Sequence, residues 1–167
     1  MTSEPYKTTI AKLADFGQLA GQELGLSEWV TITQERIQQF ADATDDHQWI
    51  HVDPERAQKE SPFQTTIAHG FLVLALASRF AYETYQIEDV SIGINYGLDK
   101  VRFPTATPVG AQVRGRVSLI DFRSIPRGAR FKLKITFELK DVEKPACVAE
   151  FLAVGFTTSQ NTTHESS

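Results

Sequence analysis

What the chain lacks sets the first limits on what it does. It contains one cysteine, Cys147, among 167 residues, so no internal disulfide can form and a reducing compartment is the default. Cys147 sits among alternating apolar residues, where a buried strand position accounts for it better than reactivity does. A surplus of positive charge is missing too: Lys and Arg number 17 against 21 Asp and Glu, a formal charge of -4. That balance argues against neutralising a nucleic-acid backbone, while a nucleotide-bearing small ligand stays allowed. The longest uninterrupted apolar run, Phe71 to Ala77, is far too short to cross a bilayer. The opening Met-Thr-Ser-Glu-Pro-Tyr-Lys has no basic segment leading into an apolar one, so a secretory signal is not expected and the cytoplasm is. Neither an internal repeat nor a low-complexity segment occurs.

What is present suffices for one domain. With 41% hydrophobic residues, the chain can build a real core, and no second periodic block suggests a second domain. Residues 1–157 are therefore expected to form a single unit, and the polar stretch 158–167, without aromatics, a disordered tail.

Helical spacing is weak from Ile10 to Ala20, further weakened by Gly17, Gly21 and Gly25, and the first residues read as loose and polar. Glu28 to Ile32 suggests a short strand. Thr33 is a plausible cap for a helix carrying Ile37, Phe40 and Ala41 and ending near Thr44. Asp53-Pro54-Glu55 opens another helix, since Asp caps and Pro is tolerated in a first turn. Asp45 to Val52 is thus expected to be a loop between helices. Thr66 to about Tyr85 reads as the longest helix, apolar nearly all round and so expected to be buried nearly all round. A domain this small can achieve that by wrapping the helix in a curved sheet. Ser91–Phe103, Ala111–Phe122, Arg130–Lys140 and Ala146–Phe156 supply the strands, the third alternating apolar and polar without a fault. Helices early and antiparallel strands late define an α+β domain.

The chemistry-bearing stretch runs from Phe40 to His51 and resumes at Thr66-Ile-Ala-His-Gly70. It holds a carboxylate, Asp46, and an imidazole, His51, five residues apart, just before a helix whose first turn contains Gly70. A carboxylate can take a proton, an imidazole near neutrality can give one, and N–H groups at a helix start can hold developing negative charge.

The Asp-His-Gln-Trp-Ile-His sequence from Asp46 to His51, with Ala68-His-Gly70, resembles the signature of the MaoC-like dehydratases, the R-specific enoyl-CoA hydratases. The Gln48-Trp49 pair narrows the likeness to the nodulation-protein-N-like branch. Asn95 to Pro104 and Pro108-Val-Gly110 extend it over about Glu28 to Phe156. The resemblance implies a hot-dog fold, an antiparallel sheet wrapped around a central helix, in a homodimer whose sites form where two copies meet. It implies an enzyme, a lyase of fatty acid metabolism, that reversibly hydrates trans-2-enoyl thioesters of coenzyme A or acyl carrier protein to (3R)-3-hydroxyacyl thioesters. Asp46 and His51 would share one water as base and acid, and Gly70 would bind the oxyanion. No cofactor is implied beyond the coenzyme A of the substrate. One departure stands out: Asp45 occupies the position before the catalytic Asp where the family usually has Gly.

Each of these residues also has a plainer reading. An Asp and a His in a loop are often a cap and a solvent-facing imidazole, and a helix glycine often serves close packing at a cost of about 1 kcal/mol relative to Ala. His69 is expected to hold the catalytic loop by hydrogen bonds, and His47 to stand behind the catalytic pair without touching the substrate. A metal site from Asp46, His47, His51 and His69 is disfavoured, because HxxxH here lacks the Glu that accompanies it in zinc hydrolases. Arg114, Arg116, Arg123, Arg127 and Arg130, with Lys100 and Arg102, offer candidates for phosphate contacts without singling one out. The alternatives to a hydratase are a non-catalytic acyl-CoA-binding hot-dog protein and a hot-dog thioesterase.

Overall fold

A computed structural model describes residues 3–158; the tail expected over 158–167 lies, from residue 159 onward, outside them. In chain order the elements are β1 (Tyr6–Ile10), α1 (Leu13–Phe16) with a turn of 3-10 helix at Gly17–Leu19, β2 (Glu23–Leu26) and β3 (Val30–Thr31). Next come α2 (Gln34–Thr44), α3 (Trp49–Val52), α4 (Pro54–Glu60), α5 (Gly70–Ala75) and α6 (Ala77–Thr84). The chain closes with β4 (Tyr85–Ile87), β5 (Val90–Arg102), β6 (Gln112–Ile125), β7 (Gly128–Leu139) and β8 (Cys147–Thr157).

The sheet has the order β4-β1-β2-β6-β7-β8-β5, with β3 paired to β6. All its pairs are antiparallel except β1 with β4. Perfect alternation makes β7 a central strand: Phe131, Leu133, Ile135, Phe137 and Leu139 are buried while the intervening polar residues face outward. Register shifts between Leu119 and Asp121, and at three points where β5 meets β8, add local twist. The twisted sheet curls around α5 and α6, which is the expected hot-dog arrangement.

Helix α6 lies against the sheet through Phe80, which is fully buried and packs at a tilt against Phe137, with 5.6 Å between ring centroids. Opposite it stands Gly115, where an added Cβ would fall 2.5 Å from the Phe80 ring. The absence of a side chain in the middle of β6 is what lets the helix approach.

The expected caps are present. Thr33 accepts the Arg36 N–H at 3.2 Å and Asp53 accepts the Arg56 N–H at 3.0 Å. Three expectations need correction. The opening segment is a strand, β1, held by backbone pairing to β2 and β4, so its polar side chains gave no sign of it. The long helix starts at Gly70 rather than Thr66, because the backbone from Thr66 to Ala68 bonds sideways instead: Ile67 N–H to Ile50, Ala68 N–H to Thr107, and Val109 N–H back to Thr66. It also pauses at Leu76, where ψ is -10°. Burial is one-sided as well, since Phe71 and Tyr82 are 71% and 78% exposed. The sheet covers one flank of the helices, and the flank beside edge strand β5 stays open. Among the described residues no helix is long and apolar enough to cross a membrane.

Replacing Gly115 by Ala is expected to overpack the helix–sheet contact and cost about 1–3 kcal/mol, read from urea denaturation. A change below about 0.5 kcal/mol would mean that Phe80 is not held in place by this gap.

Candidate active site

The loop between α2 and α4 places the candidate residues, and its entry is set by Asp45. This residue ends α2 in the left-handed conformation, φ 58° and ψ 20°, a region that Gly enters freely and Asp better than most other residues. Asp45 thus adopts a backbone conformation that a Gly at this position would reach without strain. Asp46 follows, with its side chain about half exposed, and its carboxylate accepts the Gln48 N–H at 3.4 Å. The chain then makes one turn of helix, α3, where only a loop was expected, and this turn carries His51 inward.

His51 is buried and its Nδ1 lies 2.7 Å from the carbonyl oxygen of Ile67. A carbonyl can only accept, so Nδ1 carries the proton and Nε2 of the neutral ring keeps its lone pair. Burial lowers the His51 pKa below the usual imidazole value; the Ile67 carbonyl opposes that shift, the nearby His69 reinforces it, and Asp46 opposes it. The neutral ring with a free Nε2 is thus the favoured form.

His69 is buried directly beneath, its ring stacked on His51 at 3.8 Å. Its Nε2–H donates to the backbone carbonyl of Asp46 at 2.9 Å, and its Nδ1 has no partner. His69 therefore ties down the loop that carries Asp46. His47 does not. It turns outward and bonds Asp42 on α2 at 2.9 Å, a contact that raises the His47 pKa and lowers that of Asp42. Its expected place behind the catalytic pair is corrected: the helix-end carboxylate of Asp42 competes for the ring and wins.

Ligand atoms of Asp46, His51 and His69 all lie within 4.8 Å of one another. Two acceptors that far apart can both reach one water at about 2.8 Å. The same trio could touch a cation, but with Nδ1 of His51 bonded to Ile67 and Nε2 of His69 bonded to Asp46, each ring has one nitrogen left.

Gly70 opens α5, so its N–H has no acceptor within the helix. With His51, Phe63, Val73, Phe103 and Ala146 it lines a cavity of about 480 Å³. A Cβ on Gly70 would lie 3.3 Å from the Phe103 ring, narrowing the pocket at its head.

Two residues matter here that the sequence did not mark. Gln34, the first residue of α2, donates from Nε2 to the His51 carbonyl at 2.7 Å, and Thr66 donates its hydroxyl to Gln34 Oε1 at 2.5 Å. They are far apart in the chain and belong to no spacing pattern. The basic residues on the strands are partly spent on structure: Arg114 and Arg116 bond Glu138 at 2.8 and 2.6 Å, and Arg116 also reaches Glu23 at 2.8 Å. Arg114 lies over Trp29 and Arg130 over Tyr96. Cys147 is buried, its thiol pKa pushed up to about 12, as a strand residue with no reactive role should be.

A wrapped helix, a pocket at its start lined by His51 and Gly70, and Asp46 near His51 define a hot-dog domain with a candidate site at the head of its helix. Residues 15–136 match the MaoC like domain family model, and the chain belongs to the MaoC-like dehydratase family. It is 51% identical over 143 residues to 3-hydroxyacyl-thioester dehydratase Z of Mycobacterium tuberculosis, covering 85% of this chain and 94% of that protein. It is 46% identical over 146 residues to Nodulation protein N of Rhizobium leguminosarum bv. viciae, covering 85% and 89%. Unliganded R-hydratase PhaJ1 from Pseudomonas aeruginosa shares the fold at a TM-score of 0.65 and 20% identity, over 78% of this chain and 79% of that one.

The lowered His51 pKa carries a sign for stability. Folding favours the neutral ring, so this contribution is fully present above the unfolded value of about 6.5 and is lost as pH falls through the lower folded value. Between pH of about 7 and 5, wild type is expected to lose more stability than His51→Gln in urea denaturation. Equal slopes would mean that the buried ring is not kept neutral by the fold.

Proposed function

We propose that the protein catalyses the reversible hydration of a trans-2-enoyl thioester to the (3R)-3-hydroxyacyl thioester, the acyl group being carried on coenzyme A or acyl carrier protein. The observation that carries the reading is the fixed tautomer of His51 beside Asp46, with His51 and Gly70 lining one pocket. Family membership and the dehydratase name of a relative 51% identical support the thioester class.

In dehydration, His51 Nε2 removes the proton from C2. The electron pair forms the C2–C3 double bond as the C3–O bond breaks, and the departing hydroxyl takes a proton from the Asp46 carboxyl and leaves as water. Negative charge gathers on the thioester oxygen during the step, where the Gly70 N–H and the helix start stabilise it. Hydration retraces the path, with Asp46 as base towards water and His51 as acid towards C2. The pair therefore carries one proton, on Asp46 before dehydration and on His51 after it. The reaction needs no resident metal or cofactor, and the protein is placed in the cytoplasm.

A homodimer completes this reading. Phe71, Tyr82, Ile92, Ile94, Tyr96 and Leu98 are exposed along the open helix flank and edge strand β5, a row of large apolar side chains that a monomer would leave in water. A second copy on this edge would cover them. Ile94→Arg is expected to shift the protein from dimer to monomer in sedimentation and to reduce turnover with it; a wild-type protein monomeric at micromolar concentration would overturn the dimer.

Asp46→Asn and His51→Ala are each expected to lower kcat on crotonyl-CoA by about 10²–10⁴-fold while melting as cooperatively as wild type. Chiral analysis of the product should give the (3R) alcohol. Full activity in either variant, or an (3S) product, would refute the assignment.

A further inference from the structure

Two stretches of chain with no spacing relation meet at His51, and the side chain of Gln34 holds both. Gln34 opens α2; its Nε2 donates to the His51 carbonyl at 2.7 Å, and its Oε1 accepts the Thr66 hydroxyl at 2.5 Å. Thr66 precedes Ile67, whose carbonyl accepts the proton of His51 Nδ1 at 2.7 Å. The contacts close a ring, from the His51 main chain to Gln34, on to Thr66, along the chain to Ile67 and back to the His51 imidazole.

The chemistry of each atom gives the ring one direction. The His51 carbonyl can only accept, so the amide presents Nε2 to it, and Oε1 is left needing a donor. The Thr66 hydroxyl supplies that donor, and at 1% exposure it has little water to turn to instead. A carboxylate in place of the amide would set acceptor against acceptor at the His51 carbonyl, and a thioether of the same length would offer no donor at all.

Both supports of the ring are pinned to one run of backbone, residues 107–111. Before α2, the fully buried Ile32 donates its N–H to Ala111 at 2.9 Å and accepts that of Gly110 at 2.7 Å. On the other side, Thr66 accepts the Val109 N–H at 2.9 Å, and Ala68 donates to Thr107 at 2.8 Å. Gln34 and Thr66 are thus anchored to a common strip of main chain, and the turn carrying His51 is the part that the ring holds in place. Neither Gln34 nor Thr66 lines the cavity of His51 and Gly70. They reach it through the imidazole.

We propose that Gln34 and Thr66 are positioning residues, a clamp that keeps His51 Nδ1–H on the Ile67 carbonyl and so keeps a lone pair on Nε2. The inference rests on the reading of His51 as the group that exchanges a proton with C2. With the clamp broken, the His51 main chain can swing, the ring turns away from Ile67, and the tautomer protonated on Nε2 gains weight. A ring in that form cannot take the C2 proton, and a displacement of about 1 Å costs about 10²-fold in rate.

The test compares Gln34→Met and Thr66→Val, each close in size to the residue it replaces, with Thr66→Ser, which keeps the hydroxyl. Gln34→Met is expected to lower kcat on crotonyl-CoA by about 10²-fold with KM little changed, because the cavity lining is untouched. Thr66→Val should act in the same direction by a smaller factor, and Thr66→Ser should retain most of the rate. A second readout needs no turnover. Nitrogen NMR of the imidazole rings at a pH of about 8, with the His51 signals assigned by their loss in His51→Ala, should show His51 protonated on Nδ1 in wild type and Thr66→Ser. Gln34→Met and Thr66→Val should show a mixture of tautomers. If the tautomer shifts in this way while no enoyl-CoA reacts with wild type, the clamp stands and the hydratase reading falls. If Gln34→Met and Thr66→Val keep the Nδ1–H tautomer and turn over crotonyl-CoA as wild type does, the clamp is wrong and the hydratase reading stands. Equal loss of rate in Thr66→Ser and Thr66→Val, or a loss that falls on KM and spares kcat, would also overturn the clamp. Should Gln34→Met fail to melt cooperatively, the two Thr66 variants decide the question by the same measurements.

Discussion

The hydrogen bond from His51 Nδ1–H to the Ile67 carbonyl is the constraint on which the site depends. It joins two segments with no sequence relation, the turn before α4 and the extended run before α5. By fixing which ring nitrogen bears the proton, it decides what the other can do. Around it stand three further ties: Ile67 N–H to Ile50, Gln34 to the His51 carbonyl, and His69 to the Asp46 carbonyl. Each uses a backbone group that would otherwise be an unsatisfied buried donor or acceptor. The loop from Asp45 to Val52 is thus held by the need to satisfy its own main chain, and Asp46 Oδ and His51 Nε2, the atoms proposed to act, are the ones left over.

The same sideways bonding explains why the central helix begins at Gly70. Had the helix started at Thr66, the Ile67 carbonyl would point along its axis, and His51 would have lost its partner. Starting later places the Gly70 N–H at the head of the pocket instead. One local choice of backbone, extended rather than helical over Thr66 to His69, sets both the imidazole tautomer and the N–H proposed to bind the oxyanion.

A wrapped helix needs only one covered flank to be stable, and Gly115 with Phe80 supplies the closest contact there. The pocket of His51 and Gly70 lies at the start of α5, and the row of exposed apolar residues runs along the flank left open beside β5. Asp45 shows a related economy. Its left-handed backbone is the geometry a Gly would normally supply, and Asp tolerates it because its short polar side chain can hydrogen-bond locally.

The sequence by itself determined the α+β class, the four long strands and the caps at Thr33 and Asp53, because periodicity and capping are local matters decided within a few residues. The pair Asp46 and His51, with Gly70, was legible through its resemblance to a family, and spacing alone would have left it among ordinary loop residues. Only the tertiary structure decided that β1 is a strand, since backbone pairing leaves no mark on a polar side-chain pattern. It alone turned His47 out to Asp42 and brought Gln34 and Thr66 to the site, because those contacts join positions that nothing in the linear order links. It alone exposed Phe71 and Tyr82, for which side of an apolar helix is covered depends on where the sheet ends.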